Sequence, residues 1–331
     1  MFSHIRANLL LLAATLLLCS VVYPLILWLV GQTFFHDQAE GSLITDSDGT
    51  VRGSRLIAQP FSGKEYFQPR PSAAGANGYD ASASGASNYA ASNPLLRHRV
   101  ARQLGPMVKY AKESPTKPGE AVGPDVEAWF AKQPGDYALT WAKEHPKLAE
   151  QWIKDNYEAV ANFLGKDKDE VKNKGSDNVL PFFEAFVKVK ENKGAWPTSR
   201  EKKDGDTTAK VIEPVKTGEA IQAYFFDLWL TANKDNKDMV LEKVPADMVM
   251  ASGSGLDPHI TLANAKYQLG GVADAWATKT GAPRERVVAE VEKLLDEKKF
   301  APMYGLFGDP TINVLEVNLE LPKRMEPLSK H

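Results

Sequence analysis

The chain has 331 residues, 43% of them hydrophobic and 25% charged, a size and mix that suit about two domains and exclude wholesale disorder. Its 40 Lys and Arg stand against 42 Asp and Glu, so it lacks the basic excess expected of a nucleic-acid-binding protein. A single Cys excludes an intrachain disulfide or a multi-thiolate zinc site, and the six His include no i, i+4 ligand pair, so no metal centre is expected.

The first element is a membrane span. No formal charge occurs between Arg6 and Asp37, and the apolar core Leu9–Val30 matches a bilayer's hydrocarbon thickness of about 30 Å as a helix. The run passes through Val21, Val22, Tyr23 and Pro24 to Trp28 without a small-x-small cleavage site. Leu18 stands where a lipoprotein signal would have a small residue before Cys19. A retained single-pass anchor over residues 9–30 is therefore expected. Arg6 precedes it, whereas residues 31–51 carry Asp37, Glu40, Asp46 and Asp48 but no Lys or Arg before Arg52. The positive-inside bias then places residues 1–8 in the cytoplasm and the soluble remainder outside. Pro24 frees a carbonyl, which either a neighbouring helix or a local backbone adjustment must satisfy.

Residues 38–100 are rich in Gly, Ser, Ala and Asn. Thr50–Ile57 reads as a short strand, while Arg70–Ala74 and Ser84–Asn88 read as extended loops that persist by packing or binding. From 105 to 243 the pattern changes. Trp129, Trp141, Trp152 and Phe163 recur every 11 or 12 residues, with Pro134 and Pro146 between them. Pro is favoured at a helix start and excluded from its interior, so successive short helices are expected, such as one from Pro146 through Trp152. The aromatic ladder is either a ligand-stacking surface or a small helical core. Gly194–Thr208 reads as a polar, mobile connection, and Ile221–Leu230 as a buried helix. In 244–321, Asp257 and Pro258 are placed to cap and start a helix running towards Leu269. Pro283 starts another, with Val287, Val288, Val291, Leu294 and Leu295 on one face. Leu315, Val317, Leu319 and Leu321 alternate with polar residues as in a half-buried strand. The fold class expected is α+β, with one N-terminal transmembrane helix and a soluble domain carrying a helical insertion.

Catalytic signatures are scarce. No G-x-x-x-x-G-K-[ST] phosphate loop and no D-K-T-G-T aspartyl-phosphate motif occur. The segment Ala251–His259 brings Ser254, Asp257 and His259 close in sequence, but Ser252 occupies the first Gly position of a nucleophile elbow. Three readings stand: a membrane-anchored extracytoplasmic hydrolase using Ser254 and His259, a glycine-rich turn offering N–H groups to an anion, or a turn that is structural or docks on a partner.

At these residues the chain resembles the KdpC family, the C subunit of Kdp-type potassium-transporting ATPases. The resemblance runs through Tyr23-Pro24, Gln38–Ile44, Gly53–Gln59, Tyr66-Phe67, Arg70–Ala74, Tyr79-Asp80, Ser84–Asn88 and Ser92–Pro94. It resumes at Val244-Pro245, Ala251–Ile260, Tyr267-Gln268, Gly308–Pro310, Asn313–Leu315 and Asn318-Leu319. Ala58 and Ala86 stand where the family has Gly, and Thr261 where it has Ser, keeping a hydroxyl able to cap a helix. The resemblance implies one soluble domain formed by 31–104 and 244–331. An insertion over 105–243 stands where the family has a short connection, and the resemblance assigns it neither a role nor a partner; one reading makes it a docking module.

The family implies a non-catalytic accessory subunit of a high-affinity ATP-driven potassium import pump in the bacterial inner membrane. Its partners there are a potassium-carrier subunit, a P-type ATPase subunit and the lipid bilayer, with no nucleic acid. It acts as a catalytic chaperone raising the ATPase subunit's affinity for ATP. It has no cofactor of its own, and ATP enters only through a ternary complex with the ATPase subunit. The nucleotide-related residue that the resemblance selects is Gln268. The docking candidates are Tyr23, Pro24, Gln59, Arg70, Pro71, Ser72, Ser87, Asn88, Asn93, Ser252, Ser254, Asp257 and His259. An outward domain cannot touch cytoplasmic ATP. Either the domain is cytoplasmic after all, or it acts from outside by biasing the pump's conformations, and the second account is the one adopted.

Overall fold

The computed structural model describes residues 2–46, 48–204, 207–215, 221–306 and 308–330. Helix α1 (Phe2–Leu17), a π-helical turn (Leu18–Val22) and helix α2 (Tyr23–Phe34) run on as one helix of 33 residues. None of it is buried, and it is long and apolar enough to cross a membrane. Pro24 has no N–H for the carbonyl four residues back, and the ladder widens just before it, with the Tyr23 N–H donating to the Leu18 carbonyl. A short helix α3 (His36–Ala39) leads to strands β1 (Leu43–Thr45) and β2 (Val51–Ser54), which pair antiparallel with a bulge at Ile44/Thr45.

The chain divides into two compact units, residues 1–86 with 251–331 and residues 87–250. In the second unit the first helix is set by Asn93, whose Oδ1 accepts from the Leu95 N–H at 2.9 Å and caps α4 (Pro94–Leu104), with Pro94 at the first helical position. There follow α5 (Gly123–Phe130), α6 (Tyr137–Glu144), α7 (Pro146–Asp155), α8 (Tyr157–Leu164), α9 (Lys168–Asn173) and α10 (Gly175–Lys188). The aromatic ladder is the core of this unit. Trp141 and Trp152 are buried with Phe182, Phe183 and Trp196, and Trp141 meets Trp196 edge-on at 4.2 Å.

Gly194–Thr208 departs from expectation. Strands β3 (Pro197–Asp204) and β4 (Thr207–Pro214) pair antiparallel from Pro197–Pro214 to Asp204–Thr207, and Ile212 packs on the aromatic core. The Asp204-Gly205 dipeptide is a hairpin signal that the surrounding charges obscure; Gly205 and Asp206 lie outside the described residues. Helix α11 (Ile221–Ala232) closes the unit as expected, with Phe225 stacked on Phe130 at 4.5 Å.

Back in the first unit come β5 (His259–Thr261), α12 (Leu262–Thr280), α13 (Arg284–Lys298), β6 (Thr311–Asn313) and α14 (Val314–Met325). Strands β5 and β6 pair antiparallel, with Ile260 opposite Ile312. Two expectations are corrected here. Asp257 and Pro258 do not start a helix. They lead into β5, and Thr261 caps α12 by accepting from the Asn264 N–H at 3.1 Å. Residues 315–321 are helical rather than extended, because Asn313 Oδ1 caps Glu316 N–H and the buried positions 314, 317, 318, 321 and 325 follow a helical period. Helix α13 buries Val287, Val291, Leu294 and Leu295 as its stripe requires. One long apolar N-terminal helix followed by mixed helix and sheet is the α+β arrangement expected.

Candidate functional site

Two features of the first unit gather half of the singled-out residues. The first is a knot of loops around 251–259. The Ser72 hydroxyl donates to the Gly255 carbonyl at 2.6 Å and accepts from the Tyr79 N–H at 2.7 Å. The Tyr79 hydroxyl returns to the Arg70 carbonyl at 2.8 Å, and burial pushes that phenol's pKa up. From 84–85, the Gly85 N–H and the Ser84 hydroxyl both donate to the Ser254 carbonyl, at 2.9 and 3.0 Å. Gly255 sits at φ +70, where an added Cβ would stand 2.8 Å from the Gly85 carbonyl and 2.9 Å from the Ala74 nitrogen. Only glycine permits this approach.

Within the knot, Arg70 lies 3.5 Å from Asp257, whose other oxygen is 3.1 Å from the His259 ring Nδ1. Hydrogen bonding from His259, reinforced by the charges of His259 and Arg70, holds the Asp257 carboxyl below its ordinary range despite partial burial. The Ser254 hydroxyl accepts from the Leu256 N–H and lies 3.5 Å from the Ser252 hydroxyl, which also accepts from the Asp257 N–H. Both hydroxyls thus serve the turn, and the His259 ring faces Asp257 rather than Ser254. Arg70, Ser252, Ser254, Asp257 and His259 line one open depression together with Leu56 and Ile57, and Leu56 is 62% exposed. Sequence reasoning did not single out these two apolar residues, although they stand in the block next to Gln59.

The second feature is a pair of side-chain amides that stand in for a missing strand. Buried Asn318, on α14, accepts from the Phe67 N–H and donates to the Phe67 carbonyl, both at 2.9 Å. Gln268, on α12, does the same to the next residue, accepting from the Gln68 N–H at 2.8 Å and donating to its carbonyl at 3.0 Å. Its Nε2 also donates to Asn264 Oδ1 at 2.7 Å. Residues 67 and 68 belong to no strand, so these two amides supply the ladder that the segment lacks. Asn318 was legible only as part of a resemblance block, without a role.

The remaining candidates lie elsewhere. Gln59 Nε2 donates to the Arg52 carbonyl at 3.2 Å, and Pro71 is half-buried beside Ser72. Tyr23 and Pro24 lie exposed on the apolar helix. Ser87, Asn88 and Asn93 belong to the second unit, where Asn93 is a helix cap and Asn88 holds φ +51. Among the described residues no group of His, Cys, Asp and Glu is placed to hold a metal.

Comparison with known proteins adds the following. A family profile described as KdpC, K+-transporting ATPase, c chain, matches residues 5–127 and 210–323. The chain is similar to the potassium-transporting ATPase KdpC subunit of Rhodospirillum rubrum, 29% identical over 98% of this chain and 97% of that one. It is likewise similar to that of Caulobacter vibrioides, 29% identical over 99% and 98%. The subunit of Cronobacter sakazakii is 38% identical over 49% of this chain but 90% of its own length. The family profile leaves residues 128–209 unmatched, in keeping with the short connection expected of the family over part of 105–243, whereas the relatives from Rhodospirillum rubrum and Caulobacter vibrioides match this chain through that segment as well.

Proposed function

The chain belongs to the KdpC family, the c chain of K+-transporting ATPases, and from that premise we propose that it is the accessory subunit that raises the pump's apparent affinity for ATP. In this reading it is anchored in the bacterial inner membrane by residues 9–30, holds its soluble part outside, and works on the P-type ATPase and potassium-carrier subunits without catalysis of its own. The observation that carries the reading is the loop knot. Hydrogen bonds from 72, 79, 84 and 85 pre-form a surface around Arg70, Ser252–His259 and the exposed Leu56, which suits docking on a partner protein. The rival hydrolase reading would need Ser254 aligned with His259, and the Ser254 hydroxyl is instead engaged in its own turn.

Gln268 has a structural occupation in this account. Its amide holds Gln68 on both sides, so ATP affinity changes through the pump's conformational equilibrium rather than through contact between Gln268 and nucleotide. A tenfold change in apparent affinity needs only about 1.4 kcal/mol of differential binding. Removing the chain from the assembled pump should therefore raise the KM for ATP about tenfold. Gln268→Ala, purified as a folded and assembled subunit, should leave that KM within about twofold. A tenfold rise for Gln268→Ala in an intact complex would favour direct nucleotide contact; no change on removing the chain would sink the chaperone role altogether.

A further inference from the structure

The apolar helix joins the soluble part of the first unit without a free linker. From Gly31 to Ser42 the backbone is bonded turn by turn. The Phe35 N–H donates to the Gly31 carbonyl, Ala39 to Phe35, Glu40 to His36, Gly41 to Gln38 and Ser42 to Asp37, at 2.7–3.1 Å. Gln32 Nε2 reaches the Glu40 carboxylate across the same stretch at 3.0 Å, and β1 follows at Leu43. A tether that only held a domain near a bilayer would need none of these bonds.

One residue draws the helix end, the junction and α14 together. Arg55 lies just past β2, and its N–H donates to the Ser42 carbonyl at 3.0 Å while its own carbonyl accepts from Asn313 Nδ2 at 2.8 Å. Its side chain forks. Nη1 is 3.2 Å from Asp37 Oδ2 in α3, and Nε is 3.1 Å from Glu316 Oε1 in the first turn of α14. Among the described residues, the Arg55–Asp37 pair is the only side-chain hydrogen bond or ion pair linking residues 2–40 to anything beyond β2.

Exposed ion pairs contribute little to stability, so folding is not what this fork serves. Its effect is on angle. The backbone bonds at Ser42 leave the helix able to swing about the junction, and a planar guanidinium held by a carboxylate on either side of that junction opposes the swing.

We propose that Arg55 is a positioning residue: it locks the apolar helix and the soluble part into one lever, and the effect on ATP affinity passes through that lock. The inference rests on the function proposed above, because a domain that biases the pump's conformations loses that bias in a loose joint.

The test places nitroxide labels at Leu27→Cys on the apolar helix and Glu292→Cys on α13, both exposed, in the full Cys19→Ala chain in lipid nanodiscs. Pulsed electron spin resonance should give a narrow distance distribution, which Arg55→Gln and Glu316→Gln should each widen at least twofold. Arg55→Lys should widen it as well, because one ammonium does not reproduce the fork. Amide exchange in α12 and α13 should stay unchanged, reporting a folded soluble part. In the assembled pump, the Arg55→Gln subunit should co-purify fully, raise the KM for ATP at least threefold and leave kcat within twofold. An unwidened distribution, faster exchange in α13 or failure to co-purify would each overturn the lock. Widening with an unchanged KM would overturn its part in ATP affinity. Removing the chain altogether keeps the two readings apart: if that leaves the KM unchanged, the proposed function fails, and the lock stands or falls on the distances.

Discussion

Asn318→Ala is expected to lower the stability of the first unit by roughly 2–4 kcal/mol, more than any exposed polar substitution in the same region. The side chain is 1% exposed and meets both backbone groups of Phe67, itself fully buried. Alanine removes two hydrogen bonds at once and leaves a buried N–H and a buried carbonyl with no partner and no water. Asn318→Asp should not rescue it, since the carboxylate keeps the acceptor, loses the donor and places a charge in the core. Hydrogen exchange reads the effect locally. The Phe67 amide should exchange at least thirtyfold faster in Asn318→Ala, while amides of α7 in the second unit stay as they were. An unchanged Phe67 amide would mean that the segment is held by its packing alone.

Gly255→Ala should be comparably severe, at roughly 2–5 kcal/mol, and should act on function as well as on stability. About 1–2 kcal/mol comes from placing an L side chain in the left-handed region, and the remainder from the contact with the Gly85 carbonyl and the Ala74 backbone. Those neighbours are backbone atoms and cannot swing aside, so the loops 72–74 and 84–85 must shift and the surface around Arg70 and Asp257 must lose its form. Gly253→Ala is the natural control. It lies two residues away in the same turn, with no neighbour within 4 Å of the added carbon. The pump should co-purify with the Gly253→Ala subunit and much less with Gly255→Ala. If both variants assemble equally, the knot is not the docking surface.

The parts of the fold that could be read from sequence were those where one physical signal dominated. The uncharged stretch between Arg6 and Asp37 has no globular counterpart, and the stripe on α13 has only one helical solution. The misread parts were those where two signals coincided. Leu315, Val317, Leu319 and Leu321 satisfy a period of two, yet Val314, Asn318 and Met325 complete a helical face that became visible only once Asn313 was seen as the cap. The β3–β4 hairpin hid behind charged residues, because its pairing is a backbone property and only Ile212 and its neighbours show a core-facing preference.

The site divides in the same way. The blocks around 70–74, 84–88 and 251–259 could be picked out, but not that the Ser72 hydroxyl, the Tyr79 hydroxyl and the Ser254 carbonyl tie three of them together. Gln268 could be selected by resemblance alone. Its grip on Gln68, two hundred residues earlier in the chain, needed the fold.

The account rests on the soluble part acting from outside the membrane, so sidedness is its most direct test. Ser329 is exposed near the end of the chain, and Cys19 is the only native cysteine. Ser329→Cys in a Cys19→Ala background can be labelled with a membrane-impermeant thiol reagent, in cells whose outer membrane has been opened and in cells lysed completely. The account predicts full labelling while the inner membrane is intact, which obliges any effect on ATP affinity to travel through the pump's conformation. Labelling only after complete lysis would contradict it, placing the domain in the cytoplasm within reach of the nucleotide.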